Sequence, residues 1–457
     1  MPATFEQKNL RNRIAHVAYY DQLTGTPVNY SIYNNATHYS YDVMGNVKSI
    51  LQDYSFLSDI DQQFKTVDYD YDILTGKVKE VKYQQGFPDS FYHKYEYDSL
   101  NRLTNVLTSN DHLTWSEDAQ YFYNIHGPLK RMELGTYKSQ GLDYAYTLQG
   151  WLKGINSNIL EPANDIGKDG AASIPNSIFA PDEFGLSLTY YEGDYSPIET
   201  IPDYFEADFG SSGLSESPTN ILNLYNGNIS RMVSSVAGLS SANNDIVFFG
   251  NSYKYDQLNR LKFSTAYLST DLSNNEWSGT GTTDYTEGLS YDMNGNITEL
   301  SRYFDGHTDA LSYKYFHPDY FQTTDHETNR LLAVNIPLST STFTDQNFSS
   351  SNLSTCNYEY DEIGNLIKDE TSEIESIEWT NTGKVKRINY VLPHSPEAID
   401  FLYNPMGNRI AKIIWNDIGL AEYEAIYYTL DAQGNILTTY NYDSNNPTDY
   451  VLSDHIM

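Results

Sequence analysis

Ten histidines, one cysteine and 61 acidic side chains are the groups in this chain that could do chemistry. His93, His112, His126 and His317 suit acid–base or metal work, yet none stands in a His-x-x-x-His or Cys-x-x-Cys spacing. They read as isolated strand or surface histidines. Asp68, Asp70 and Asp72 alternate as calcium ligands can. However, Val67, Tyr69 and Tyr71 interleave with them, and no Asp-x-Asp-x-Asp-Gly loop with its closing Glu is present. A strand that ends in a turn-starting Asp72 accounts for the same residues. Carboxylate pairs of glycosidase type arise by chance in so acidic a chain, and the sequence singles out none. A Gly-x-Ser-x-Gly elbow and a Walker loop are both missing. Cys356 lacks catalytic company and reads as a small buried hydrophobe. No catalytic residue, cofactor site or metal site follows, and an enzyme is not expected.

The elements that carry these residues must be built by an unusual composition. The 61 Asp and Glu face 28 Lys and Arg, a formal net charge of -33, which repels nucleic acid and anionic membranes. Disorder does not follow, because 42 Tyr, 19 Phe and 5 Trp give more aromatic area than an unfolded acidic chain carries. Each buried ring removes about 150–250 Å² from water. A single cysteine excludes intrachain disulfides, so packing and hydrogen bonds must hold the fold. Residues 1–20 hold no continuous apolar run, so no signal peptide is expected there, and no stretch is apolar enough to span a bilayer as a helix.

One pattern recurs: aromatic, any residue, Tyr, Asp or Asn, two or three residues, then Gly or Asn, a polar residue and an apolar one. It is present as Tyr39, Tyr41, Asp42 and Gly45; as Tyr69, Tyr71, Asp72 and Gly76; and as Tyr95, Tyr97, Asp98 and Asn101. Tyr121, Tyr123 and Gly127 follow, with a weaker copy at Tyr144, Tyr146 and Gly150. It resumes at Tyr253, Tyr255, Asp256 and Asn259, and at Tyr291, Asp292 and Gly295. Tyr358, Tyr360, Asp361 and Gly364 come next, then Tyr403 and Gly407, and finally Asp431 and Gly434. In Tyr-x-Tyr both rings fall on one face of a strand, because side chains alternate with period two. The following Asp or Asn accepts from backbone N–H groups just ahead and starts a turn, and Gly or Asn tolerates the positive φ that the hairpin loop needs. Each unit is therefore a strand–turn–strand hairpin with a Tyr-rich face. A lone hairpin is marginal, so neighbours must pair edge to edge into a long antiparallel sheet.

Residues 157–250 break the rhythm with more Pro, Gly, Ser and Asp, as in Glu161–Asp165 and Gly210–Gly213. Strand candidates persist at Leu186–Tyr191 and Ile221–Tyr225. The expected organisation is repeats over 1–156, a loop-rich insertion in the same sheet over 157–250, and repeats over 251–457.

The Tyr-x-Tyr-Asp-x-x-Gly-Asn-Leu units resemble the RHS/YD-repeat family of bacterial RHS toxins, toxin-complex C components and teneurins. The resemblance covers nearly the whole chain. Phe91–Asp98, His126–Leu129 and Gly141–Tyr146 are most similar to RHS proteins of Bacteroidetes-type bacteria. It implies an all-β fold, a spiralling sheet that forms part of a shell around a C-terminal toxin or other cargo. It also implies a secreted or cell-surface setting within a larger protein. In the bacterial toxins the repeats lead into a core region whose aspartate pair performs self-cleavage. Here Tyr428–Leu437 looks like the approach to that region, and its Asp-Pro motifs are absent; Asn404-Pro405 carries Asn instead. The protease and toxin are therefore expected to lie outside this stretch, and a dozen units are expected to be few for closing a shell. Structural ladders account for the Tyr and Trp rings. A surface adhesion module that stacks carbohydrate, or a partner protein, on those rings is the alternative.

Overall fold

A computed structural model describes residues 5–20, 33–60, 62–160, 165–170, 176–197, 222–237, 247–271, 275–277, 284–304, 307–315, 329–335, 357–446 and 451–455. Among these the chain is all-β, and every strand pairing is antiparallel; a short 3-10 turn at Ser55–Ile60 is the helical exception. His317, Cys356, Gly210–Gly213, Glu161–Asn164 and Ile221 lie outside the described residues. The chain forms two compact units: residues 1–116 with 357–457, and residues 117–356.

The hairpins follow from the sequence pattern. Phe64–Tyr71 alternates buried and half-buried positions along its length, as does Gln140–Tyr146, so one face of each strand meets the core. Asn35–Tyr41 pairs with Val47–Tyr54, Phe64–Tyr71 with Val78–Tyr83, and Phe91–Tyr97 with Leu103–Ser109, each across a repeat turn. In every such hairpin the register slips at the second aromatic residue. Tyr41 pairs with Val47 after Ser40 pairs with Ser49, and the same slip occurs at Tyr71, Tyr97, Tyr255, Tyr291, Tyr360 and Tyr403. The expectation of plain alternation through the unit is thus modified by a β-bulge, which adds local right-handed twist at each turn.

In the first unit the sheet of the N-terminal strands packs on the nine-stranded sheet of residues 358–455. Ile50, Val67, Tyr69, Val81, Tyr83 and Phe91 meet Ile410, Ala425, Tyr427, Leu430, Leu437 and Tyr440 in one core. Tyr69 and Tyr83 are only 2% and 1% exposed. In the second unit Phe184–Thr189 and Arg231–Val236 extend the ladder between Leu152–Ile155 and Val247–Tyr255. The strand expected at 221–225 is not formed at residues 222–225. Leu224 N–H donates to Tyr190 O and the Leu222 carbonyl accepts from Ser230 Oγ, so the segment is held as a loop.

Candidate functional site

The repeat unit is the first constellation. Its Asp is placed directly after the second aromatic residue, where the strand leaves the ladder. Asp42 N–H donates to Asn46 O, Asp42 Oδ1 accepts from Asn46 N–H at 2.8 Å, and Oδ2 accepts from Asn46 Nδ2 at 2.9 Å. Asp292, Asp361 and Asp431 repeat this arrangement with Asn296, Asn365 and Asn435. Asp98 and Asp256 do so with Arg102 and Arg260, whose guanidinium groups replace the amide. Asp72 uses a longer loop, accepting from Leu74 and Thr75 N–H. Backbone N–H donors hold the Asp72, Asp98 and Asp256 carboxyls below the usual carboxylate range. Gly45, Gly295, Gly364 and Gly434 sit at φ between 94° and 103°, which L side chains rarely adopt. Gly76 and Gly407 share the positive φ.

The two tyrosines of a unit do different work. Tyr39 and Tyr69 go into the core, stacked on Tyr41 and Tyr71 at 6.4 and 6.3 Å. The second ring reaches back to the preceding unit and donates its hydroxyl to the carbonyl of the residue that opens the return strand. Tyr71 bonds Val47 O at 2.9 Å, Tyr97 bonds Val78 O at 2.9 Å, and Tyr403 bonds Val385 O at 2.7 Å. Tyr291 bonds Leu261 O at 2.6 Å, and Trp379 substitutes its indole N–H on Leu366 O at 2.8 Å. Tyr255 reaches Ile229 O and Tyr41 reaches Ile14 O, each at 3.0 Å. Tyr95, Tyr253, Tyr358 and Tyr360 are half-buried on their strands.

The remaining candidates are scattered. His93 is buried beside Phe91, and desolvation together with His455 lowers its pKa to about 4. His112 bonds Glu80 and stacks on Tyr92; His126 is exposed. Asp68 accepts from Ser49 Oγ, and Asp70 pairs with Lys48 and Lys82, so the 68–72 triplet is committed to strand neighbours and a turn. A surface groove of about 750 Å³ runs beside Tyr71, Tyr95, Tyr97, Asp98 and Lys94.

A second constellation was not read from the sequence. In the second unit Arg131 and Asp143 face each other across the paired strands Leu129–Leu134 and Gln140–Tyr146. The loop at 165–170 brings Asp165 and Asp169 against them, and each of the three aspartates offers an oxygen within 4.8 Å of the other two. Arg131 bonds Glu133 through Nε, Asp143 through Nη1 and Asp169 through Nη2, and lies 4.5 Å over the Phe179 ring. Burial raises Asp143 to about 7 against the pull of Arg131, and it also raises Asp165, Asp169 and nearby Asp182. A Cβ at Gly141 or Gly167 would collide with Arg131 and the Asp169 or Asp143 carboxylate, so only glycine permits this approach. The local signal was Asp165-Ile166-Gly167-Lys168-Asp169-Gly170, two acids one short loop apart with glycine between and after.

Neither a family model nor a curated protein matches the chain. Solved structures do. A crystal structure of TcdB2-TccC3-Cdc42 shares 13% identity at a TM-score of 0.55, over 90% of this chain and 17% of that one. A Photorhabdus luminescens Tc holotoxin pore with a mutated TccC3 shares 15% identity at a TM-score of 0.53, over 89% of this chain and 17% of that one. This chain therefore spans 17% of the length of each. The likeness is one of fold: the antiparallel hairpin sheets of this chain match a stretch of each of these two structures.

Proposed function

We propose that the chain is a structural segment of an encapsulating β-sheet shell or scaffold in a toxin-type protein, without catalytic activity of its own. The observation that carries this reading is the hook from Tyr71, Tyr97, Tyr291 and Tyr403 to the preceding unit. It spends the repeat's polar atoms on joining hairpins, which a load-holding sheet requires and a ligand site does not. The fold shared with toxin-complex structures supports it. The cargo would be a polypeptide encoded beyond the repeats, and the setting secreted or cell-surface. In the first unit the rings of Tyr69 and Tyr83 are covered by strands of residues 398–443, so a cargo space has to be sought away from that face.

Protease protection tests the reading. The chain is produced together with the coding sequence that follows it, and digestion of the downstream polypeptide is timed. Protection that is lost when the sheet is disrupted supports a container. A tail cut as fast as the free peptide overturns it. The adhesion alternative would use the groove beside Tyr71, Tyr95 and Tyr97. Glycan-array binding abolished by Tyr95→Ala would favour that alternative.

A further inference from the structure

We propose that Asp143, Asp165 and Asp169 bind one calcium ion, which ties the 165–170 loop to the Leu129–Leu134 and Gln140–Tyr146 hairpin. The three oxygens lie within 4.8 Å of one another, close enough to share one central calcium at about 2.3–2.6 Å, and an all-protein carboxylate set suits calcium better than magnesium, which usually keeps several waters. All donors are hard carboxylate oxygens, which select calcium, magnesium or manganese over the imidazole- and thiolate-seeking metals.

Two observations beyond the acidity point to a ligand. Asp165 is only 2% exposed, and its Oδ1 has no hydrogen-bond partner, while Oδ2 accepts from Asp169 N–H at 3.2 Å. Buried carboxylate oxygens are ordinarily satisfied, because an unpaired one forfeits its hydration without return. The charge is also unfinished. Arg131 is the cation that bonds this cluster among the described residues, and Glu133 beside it is answered by Lys138 at 2.9 Å. When ionised, the three carboxylates exceed the one guanidinium by two negative charges, with Asp182 close by, a deficit that a divalent ion can fill. The alternative occupant is the proton, with the carboxyls held neutral.

The test uses the whole chain, stripped with EDTA and titrated with calcium chloride by calorimetry, with magnesium chloride as competitor. One saturable site is expected above the weak, many-site binding that a net charge of -33 produces. Asp165→Asn should weaken that site at least about tenfold, and Asp169→Asn likewise. Glu370→Gln, in an exposed ion pair with Lys368, should leave it unchanged. Calcium should also slow hydrogen exchange in 131–143 and 165–170, a readout that needs no variant to fold. Equal titrations for wild type and Asp165→Asn, or no protection in those two segments at millimolar calcium, would overturn the proposal. A site saturated by magnesium but not calcium would overturn the assignment of the ion.

Discussion

Two buried charge networks, one in each unit, are built in opposite ways. In the first, Lys65 is fully buried, yet its ammonium has Asp89 at 2.8 Å, Gln62 at 2.6 Å and the Tyr440 ring at 4.5 Å. Tyr440 in turn bonds Asp89 at 2.7 Å and Tyr83 at 2.6 Å. That network closes: one cation, one anion, and hydroxyls for the remaining lone pairs. In the second unit one guanidinium serves several buried aspartates, and the oxygens Asp165 Oδ1 and Asp182 Oδ1 have no partner. A closed network contributes specificity and rigidity whatever the solvent holds, whereas an open one makes stability depend on what the solvent supplies.

The largest break in this comparison should come from removing the buried cation of each network. Arg131→Met leaves Asp143 and Asp169 uncompensated and should destabilise the second unit by about 3–5 kcal/mol. Lys65→Met should cost the first unit less, about 1–3 kcal/mol, because Tyr440 still donates to Asp89. Hydrogen exchange resolved by peptide separates the units, which a single melting curve does not.

The next test is acid. His93 is neutral in the fold, with a pKa near 4 against 6.5 when unfolded. Its depressed folded value means that its contribution is complete above pH 6.5 and is lost as pH falls towards 4. At about 1.4 kcal/mol per pKa unit this amounts to ~3–4 kcal/mol. His455 and Phe91 face the ring, and His93→Phe should flatten this limb of the pH profile in the first unit.

A pair of isosteric changes sharpens the contrast through its sign. In EDTA at neutral pH, Asp182→Asn should stabilise the second unit by about 1 kcal/mol, since burial among other aspartates disfavours its charged form. Asp89→Asn should destabilise the first by ~1–3 kcal/mol. Equal signs in chemical denaturation would erase the distinction drawn here. The smallest effect belongs to the hooks. Tyr97→Phe and Tyr291→Phe each remove one hydroxyl bond and should cost about 0.5–1.5 kcal/mol, similar in both units.

The hairpins were legible because their chemistry is local. Asp98, Asn101 and Arg102 settle their turn within five residues, and so do Asp361, Gly364 and Asn365. The bulge at each second tyrosine was not legible, since period-two alternation reads straight through it. The hooks escaped notice because their acceptor is a backbone carbonyl, which no residue type advertises. The acid cluster joins Asp143 to Asp165 across an irregular stretch, and only the Asp165–Asp169 loop left a mark in the sequence. Pairing of residues 1–116 with 357–457 was hidden for a different reason. Every repeat offers a similar aromatic face, so the pattern says that faces meet without saying which copy meets which.

That pairing gives the first unit a late step in its folding. Tyr83 meets Tyr440 only after 357 further residues have been made, and Lys65 waits as long for the ring that covers it. Contacts so distant in sequence form late, because the loop between them must close first. Until then the earliest strands present an oily aromatic surface and a buried-to-be amine with half its partners, a state chaperones and proteases recognise. A message cut short before the 398–443 strands would therefore yield a protein that is cleared, and one read past them a protein whose first-unit core is covered.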